Sequence, residues 1–157
     1  MPNPKINLQR LYVKNSSYET VDTPKSFTQQ GGLNHSHKME VSNNKLDDNN
    51  HHEVILTLTI ETKIADKLLC VTKVEQAGVF QIENANEEQL NQILRTHCPQ
   101  TLYPYACCGI AQLLTSGSLP SVIMQHMDFS AIYQHLQNQQ QQKAEQEQHE
   151  TPGHTMH

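Results

Sequence analysis

The sequence has no tryptophan, and only three phenylalanines and five tyrosines among 157 residues. With so few aromatic anchors, a core here must be built from aliphatic side chains. Cationic residues are also scarce: 11 Lys and Arg stand against 16 Asp and Glu, for a formal net charge of −5. No Lys/Arg cluster is present, and phosphate contacts supply most nucleic-acid affinity, so a nucleic-acid partner is excluded. No apolar run approaches the roughly 20 residues of a membrane-spanning helix, so no stable membrane insertion is expected. The opening MPNPKINLQR lacks the apolar stretch of a secretory signal. Without such a signal, the four cysteines read as reduced thiols of a cytoplasmic protein. A glycine-rich phosphate loop, a nucleophile elbow and a dinucleotide fingerprint are all missing. That leaves no catalytic residue and no cofactor to name.

What is present is unevenly spread. Apolar residues concentrate between about residues 54 and 136, enough for one modest core. Residues 1–7, with Pro2 and Pro4, read as a flexible end. Residues 8–19 read as a strand, 28–36 as turns, 37–42 as a short strand and 43–52 as a polar hairpin loop. In EVILTLTIETKIA (53–65), Val54, Leu56, Leu58 and Ile60 alternate with Ile55, Thr57, Thr59 and Glu61, the signature of a half-buried strand. Asp66 and Lys67 predict a short turn. Residues 68–82 follow as a second long strand, antiparallel to the first, in which Gly78 marks a bulge or a close backbone approach.

The period then changes. Asn86, Glu87, Glu88 and Gln89 form an N-cap, an acidic first turn and a capping-box glutamine, ahead of Leu90, Ile93 and Leu94. Pro99 is read as the stop of this helix. A second helix is predicted over 104–116, from Pro104 to a stop at Gly117, with Ala106, Ile110, Leu113 and Leu114 inward. Asp128 caps a third, with Phe129, Ile132, Tyr133 and Leu136 on one face. The Gln-rich stretch from 138 has no apolar face and reads as a disordered tail to residue 157. Strands first and helices after imply an α+β fold, an antiparallel sheet with helices on one face. So thin a core suggests completion by another copy of the chain.

Candidate chemistry is sparse. Cys70, Cys98, Cys107 and Cys108 lack C-x-x-C spacing, match no zinc pattern and read as small hydrophobes. The histidines His35, His37, His51, His52, His97, His126, His135, His149, His154 and His157 read mostly as solvated loop residues, and no metal ligand is assigned. The acid pairs Asp47–Asp48 and Glu87–Glu88 read as a turn and a helix start. The informative feature is apolar character where loops are predicted. Leu102, Tyr103, Pro104 and Tyr105 fall between helices, and Leu119, Val122, Ile123 and Met124 fall in a connector around Pro120. Such residues suit a subunit interface, an adaptable groove or a lid on the core.

The run CPQTLYPYACCGIAQLLTSGSLP followed by DFSAIY resembles the signature region of the SecB family of protein-export chaperones. QRLYVKNSSYE (9–19) and KVEQAGVFQI (73–82) resemble two of that family's strands, collinear with the first block. The resemblance covers residues 8–137. It implies a four-stranded antiparallel sheet with helices on one face, assembled as a dimer of dimers. It also implies a chaperone that holds unfolded preproteins in hydrophobic grooves and delivers them to the SecA motor ATPase. By the same carry-over Leu102, Tyr103, Pro104, Tyr105, Val122 and Met124 contact clients. Thr72, Val74 and Gln76 belong to the tetramer interface. Asn15, Glu19, Lys73 and Glu75 lie where the family presents acidic residues to SecA. The sequence departs from the pattern at Cys107, where the family has Arg, at Leu119, where it has Phe, and at Lys73, where an acid becomes a base. Three other readings stand beside this one: a SecB-like chaperone dedicated to a narrow client, such as a toxin–antitoxin pair or one secretion system; a metal- or thiol-handling protein using His97, Cys98, Cys107 and Cys108; and a purely structural oligomer.

Overall fold

The computed structural model describes residues 3–149; expectations for residues 1–2 and 150–157 lie outside the described residues. Strands β1 (Lys5–Thr20), β2 (Leu33–Lys45), β3 (His51–Ile64) and β4 (Lys67–Glu83) precede helices α1 (Glu87–Arg95), α2 (His97–Ser116) and α3 (Phe129–His149). The strands form one antiparallel sheet in the order β1-β4-β3-β2. The α+β architecture with helices on one face is therefore observed.

The central hairpin sets the fold. Ile64 pairs with Lys67, so the turn is Ala65–Asp66, with both residues at positive φ (49° and 65°). This two-residue connection follows the natural twist of the strands, and it lies one residue before the predicted turn. The even-numbered residues of both strands point toward the helices. Val54, Leu56, Leu58 and Phe80 have no exposed surface, and Ile60 and Val74 are 1% exposed. Residue 78 faces inward between Leu11 of β1 and Val54 of β3. A Cβ there would lie 2.9 Å from Phe80, 3.1 Å from Leu102 and 3.1 Å from Leu8, so Gly78 marks a close approach. The register shifts fall elsewhere: in β1 between Leu8 and Arg10 and between Val13 and Asn15, and on β4 at Leu69, where Thr62 pairs with Cys70 and Lys63 with Leu68.

Both edge strands exceed their predicted lengths. β1 starts at Lys5, inside the segment read as a flexible end, because Ile6 pairs with Ile82 and packs against the core. β2 runs from Leu33 to Lys45 in unbroken register with β3. Its mixed polar sequence hides this, since backbone pairing rather than side-chain burial defines its ends.

Helix α1 is capped as predicted: Asn86 Oδ1 accepts from Gln89 N at 2.8 Å, and Gln89 Oε1 accepts from Asn86 N at 3.0 Å. Helix α2 corrects the sequence reading. It begins at His97, so Pro99 sits in its first turn rather than ending α1, Leu102 and Tyr103 are helical rather than loop, and Pro104 lies inside the helix rather than at its start. A proline in a first turn lacks only an N–H that would be unpaired there anyway. Leu102, Ala106, Ile110 and Leu114 are fully buried at four-residue spacing, and Gly109 brings α2 close to the sheet, where a Cβ would lie 3.3 Å from Val74 Cγ2. Of the face predicted for α3, Phe129 is buried, whereas Ile132 is 38% and Leu136 50% exposed. The helix continues to His149 where disorder is expected from 138. Its Gln-rich surface supplies bonds one turn apart, from Gln137 Nε2 to Tyr133 Oη at 2.9 Å and between Gln139 and His135 at 3.0 Å.

Candidate functional site

The connector between α2 and α3 has little regular structure, yet it is fixed at three points. Leu119 is buried at one end and Phe129 at the other. Midway, the Tyr103 hydroxyl donates to the Gln125 carbonyl oxygen at 2.7 Å. The Tyr103 ring meets Phe129 edge-on, with centroids 5.8 Å apart, and Gln100 Oε1 accepts from Phe129 N at 3.2 Å. Burial, with a further contribution from the Cys107 thiol, pushes the Tyr103 phenol up to about 12, so it stays a donor at neutral pH.

Between these points the connector stands away from β2 and β3 and leaves a cleft of about 250 Å³. Tyr103, Val122, Ile123, Met124 and Met127 line it, with Ile60, His35 and His37 on the sheet side. Ile123 is 93% exposed, the largest exposure of any big apolar side chain among the described residues. Such a cleft can bury apolar side chains by area, with little reading of sequence, and methionine adapts its shape to what enters.

The structure sorts the predicted client contacts into three groups. Tyr103, Val122 and Met124 meet at the cleft. Leu102 does not: it is fully buried near Gly78, a core residue out of reach of any ligand. Pro104 and Tyr105 are exposed outside the cleft lining, because a helix turns ~100° per residue and carries them away from Tyr103. The histidines on the sheet were missed. His35 is half-buried on β2, with Nδ1 2.9 Å from Thr62 Oγ1, and His37 lies two residues on, on the same face. Alternation of His35, His37 and Met39 in a strand could have signalled this. His52, read as a loop residue, is buried on β3, and burial lowers its pKa.

The opposite sheet face carries no helix. Asn15 pairs with Glu75, Ser17 with Lys73 and Glu19 with Val71, so Asn15, Glu19, Lys73 and Glu75 share this face. Lys73 Nζ lies 3.5 Å from Glu75 Oε1. Nearby, Glu53 accepts from Lys14 Nζ at 2.8 Å and from the Tyr12 hydroxyl, and both bonds hold its carboxyl below the usual range. Thr72, Val74 and Gln76 sit on the other face, beneath the helix layer, and are nearly inaccessible. Gln76 Nε2 donates to the Tyr12 carbonyl oxygen at 3.1 Å, beside the second β1 bulge. These three residues therefore present no surface of their own to another molecule.

The thiols do not gather. Cys70 and Cys98 are buried, Cys107 is half-buried and Cys108 is exposed. Burial pushes the Cys98 thiol up to about 12, away from the reactive thiolate. Among the described residues no three His, Cys, Asp or Glu side chains are grouped to hold an ion.

Comparison with known proteins decides the family. The family model for preprotein translocase subunit SecB matches residues 1–142. The chain belongs to the SecB family. The protein-export protein SecB of Hahella chejuensis is 40% identical over 142 residues, which span 90% of this chain and 89% of that one. SecB of Marinobacter nauticus is 35% identical over 141 residues, 90% of this chain and 85% of its own. Among solved structures, the SecB-like chaperone of Mycobacterium tuberculosis, in complex with a ChAD peptide from the HigA1 antitoxin, aligns with a TM-score of 0.64. That alignment covers 78% of this chain and 91% of that one at 16% identity, a likeness of SecB fold alone.

Proposed function

We propose that this SecB chain is a protein-export chaperone that holds unfolded preproteins in the cleft beneath the connector and delivers them to SecA in the cytoplasm. The observation that carries the reading is Ile123, 93% exposed on a connector otherwise fixed by buried residues. An aliphatic side chain held in water on a positioned segment gains most when an apolar client covers it. Tyr103, Val122 and Met124 act beside it as client contacts, and no bond-making step is required. Pro104 and Tyr105 extend the apolar surface along α2 outside the cleft.

The helix-free face, with Asn15, Glu19, Lys73 and Glu75, is the proposed SecA surface. The Lys73–Glu75 pair lowers its net negative charge, which favours a second reading, a SecB-like chaperone serving a narrow client. The proposed assembly is a dimer of dimers. The open edge of β1 and the exposed Val13 support contact between copies. Thr72, Val74 and Gln76 would act on that assembly only indirectly, by setting how α2 lies on the sheet.

Native mass spectrometry of the full chain, alone and with an equimolar unfolded preprotein, tests this. A tetramer of the 17.9 kDa chain that gains client mass without nucleotide is expected. A monomer that takes up no client would overturn it.

A further inference from the structure

The helix-free face of the sheet carries charges beyond those of Glu19, Lys73 and Glu75. Strand alternation also puts Glu53, Glu61 and Lys63 of β3 there, with Lys38 and Glu40 of β2. Most of these charges cancel in pairs. Lys38 lies 3.1 Å from Glu40, Lys73 3.5 Å from Glu75 and Lys14 2.8 Å from Glu53. Glu19 and Glu61 differ. Both are exposed, and neither has an ion-pair partner among the described residues. The sheet sets them in one row: Val71 of β4 pairs with Glu19 of β1 on one side and with Glu61 of β3 on the other. Neighbouring strands lie about 4.8 Å apart, so the two acids stand about 10 Å apart at the backbone, with a half-buried valine between them. The next row holds Ser17, Lys73 and Thr59, and its one charge is matched by Glu75. Lys63, two residues beyond Glu61 on β3, is half-buried and has no acidic partner of its own. Two further cations of the face, Lys5 and Arg10, lie toward the other end of β1, beside Glu83 and Val79.

We propose that Glu61 is a specificity-determining residue of the SecA contact: with Glu19 it forms an acidic pair across Val71 that receives a SecA segment carrying Lys or Arg on either side of an apolar residue. The inference rests on this face being the SecA surface. The family resemblance assigns Asn15, Glu19, Lys73 and Glu75 to that contact. Of these, Asn15 is neutral, and Lys73 and Glu75 offset each other. Glu61 supplies a second uncompensated carboxylate, from a strand to which the resemblance assigns no contact. Lys and Arg side chains are long enough to span the row, and Val71 gives their aliphatic stems and the apolar residue between them a surface to cover. Exposed carboxylates act on a cationic segment before it docks, so their part is in encounter and partner choice, and salt weakens it.

The test measures the dissociation constant between purified SecA and the full-length protein by titration calorimetry, at about 50 mM and about 200 mM salt. Affinity for an unfolded client is measured in parallel. Glu61→Gln is expected to raise the SecA constant about fivefold at the lower salt and less at the higher, the size of an exposed charge pair. Glu61→Asp keeps the charge and should recover most of that loss. Lys63→Gln, which removes a cation from beside the row, should lower the constant about twofold. An unchanged constant in Glu61→Gln, with Glu19→Gln weakened, would overturn this inference and leave the SecA surface standing without Glu61. Equal weakening in Glu61→Gln and Glu61→Asp, independent of salt, would overturn it too, by giving Glu61 a structural part in the sheet. Failure of the unmodified protein to bind SecA at either salt, while it still binds client, would overturn the SecA-surface reading, and this inference with it.

Discussion

The central hairpin and the connector are both rich in aliphatic residues, but they use them in opposite ways. On β3, Val54, Leu56 and Leu58 are fully buried because strand alternation and the covering helix account for every second side chain. On the connector, Val122, Ile123 and Met124 follow one another with little regular backbone structure to sort them, and Ile123 is left in water. Burial in the hairpin specifies the fold. Partial burial on the connector keeps apolar surface available to a partner. Mutations should therefore separate stability from client binding according to which region they touch.

The largest effect is expected from Leu102→Ala. Leu102 is fully buried in α2 and packs beside Gly78, so its truncation removes a core side chain and leaves a cavity. A loss of about 2–5 kcal/mol in urea unfolding is expected. Peptide affinity should be unchanged under conditions where the variant remains folded. Lost affinity with intact stability would return Leu102 to the client contacts.

Gly78→Ala comes next. The added methyl would stand 2.9 Å from the Phe80 ring and 3.1 Å from both Leu102 and Leu8, with three elements to displace at once. Overpacking of this kind costs about 1–3 kcal/mol, read as a lower unfolding midpoint with an unchanged slope. An unchanged midpoint would mean that α2 can lift from the sheet without loss, which the tight Gly109–Val74 approach argues against.

Tyr103→Phe acts at the join between the two regions. It keeps the ring against Phe129 but removes the donor to Gln125, at a net loss of about 0.5–1.5 kcal/mol. The loss should be local. Amide exchange is expected to quicken along the connector while β3 and β4 keep their protection. Equal quickening in both regions would show that the connector belongs to the same cooperative unit as the core.

How far each region could be read from sequence follows the same division. The β3–β4 hairpin and the α1 capping box were legible because short-range patterns determine them: alternation in one case, and Asn86 with Gln89 in the other. The start of α2 was not, because by local rule Pro99 reads as a stop and Pro104 as a first-turn residue, and tertiary burial of Leu102 and Ala106 overrides both. The carry-over from the family named Leu102 as a client contact, and its place on the buried face of α2 was hidden with the start of the helix. The full length of β2 and the place of His35 and His37 in the cleft were also hidden, since an edge strand with polar residues on both faces has weak periodicity. That Asn15, Glu19, Lys73 and Glu75 share a face was read from the family resemblance, and the observed pairing of β1 with β4 puts them on one face.

The smallest effect on stability, and the sharpest separation, is expected from Ile123→Ser. At 93% exposure its side chain contributes almost no burial to the folded chain, so the free energy of unfolding should change by no more than about 0.5 kcal/mol. In a complex the same side chain would be covered. Burying an isoleucine fully contributes about 1.5–3 kcal/mol, and partial cover in an open cleft contributes less. A three- to tenfold rise in the dissociation constant for an unfolded client is therefore a modest expectation for about 1 kcal/mol of lost burial. The pairing of the two numbers decides the matter. Weaker client binding with unchanged stability places Ile123 in the client site. Unchanged binding with unchanged stability would show that clients pass the connector by, leaving the exposed face of α2 around Tyr105 as the apolar surface that receives them.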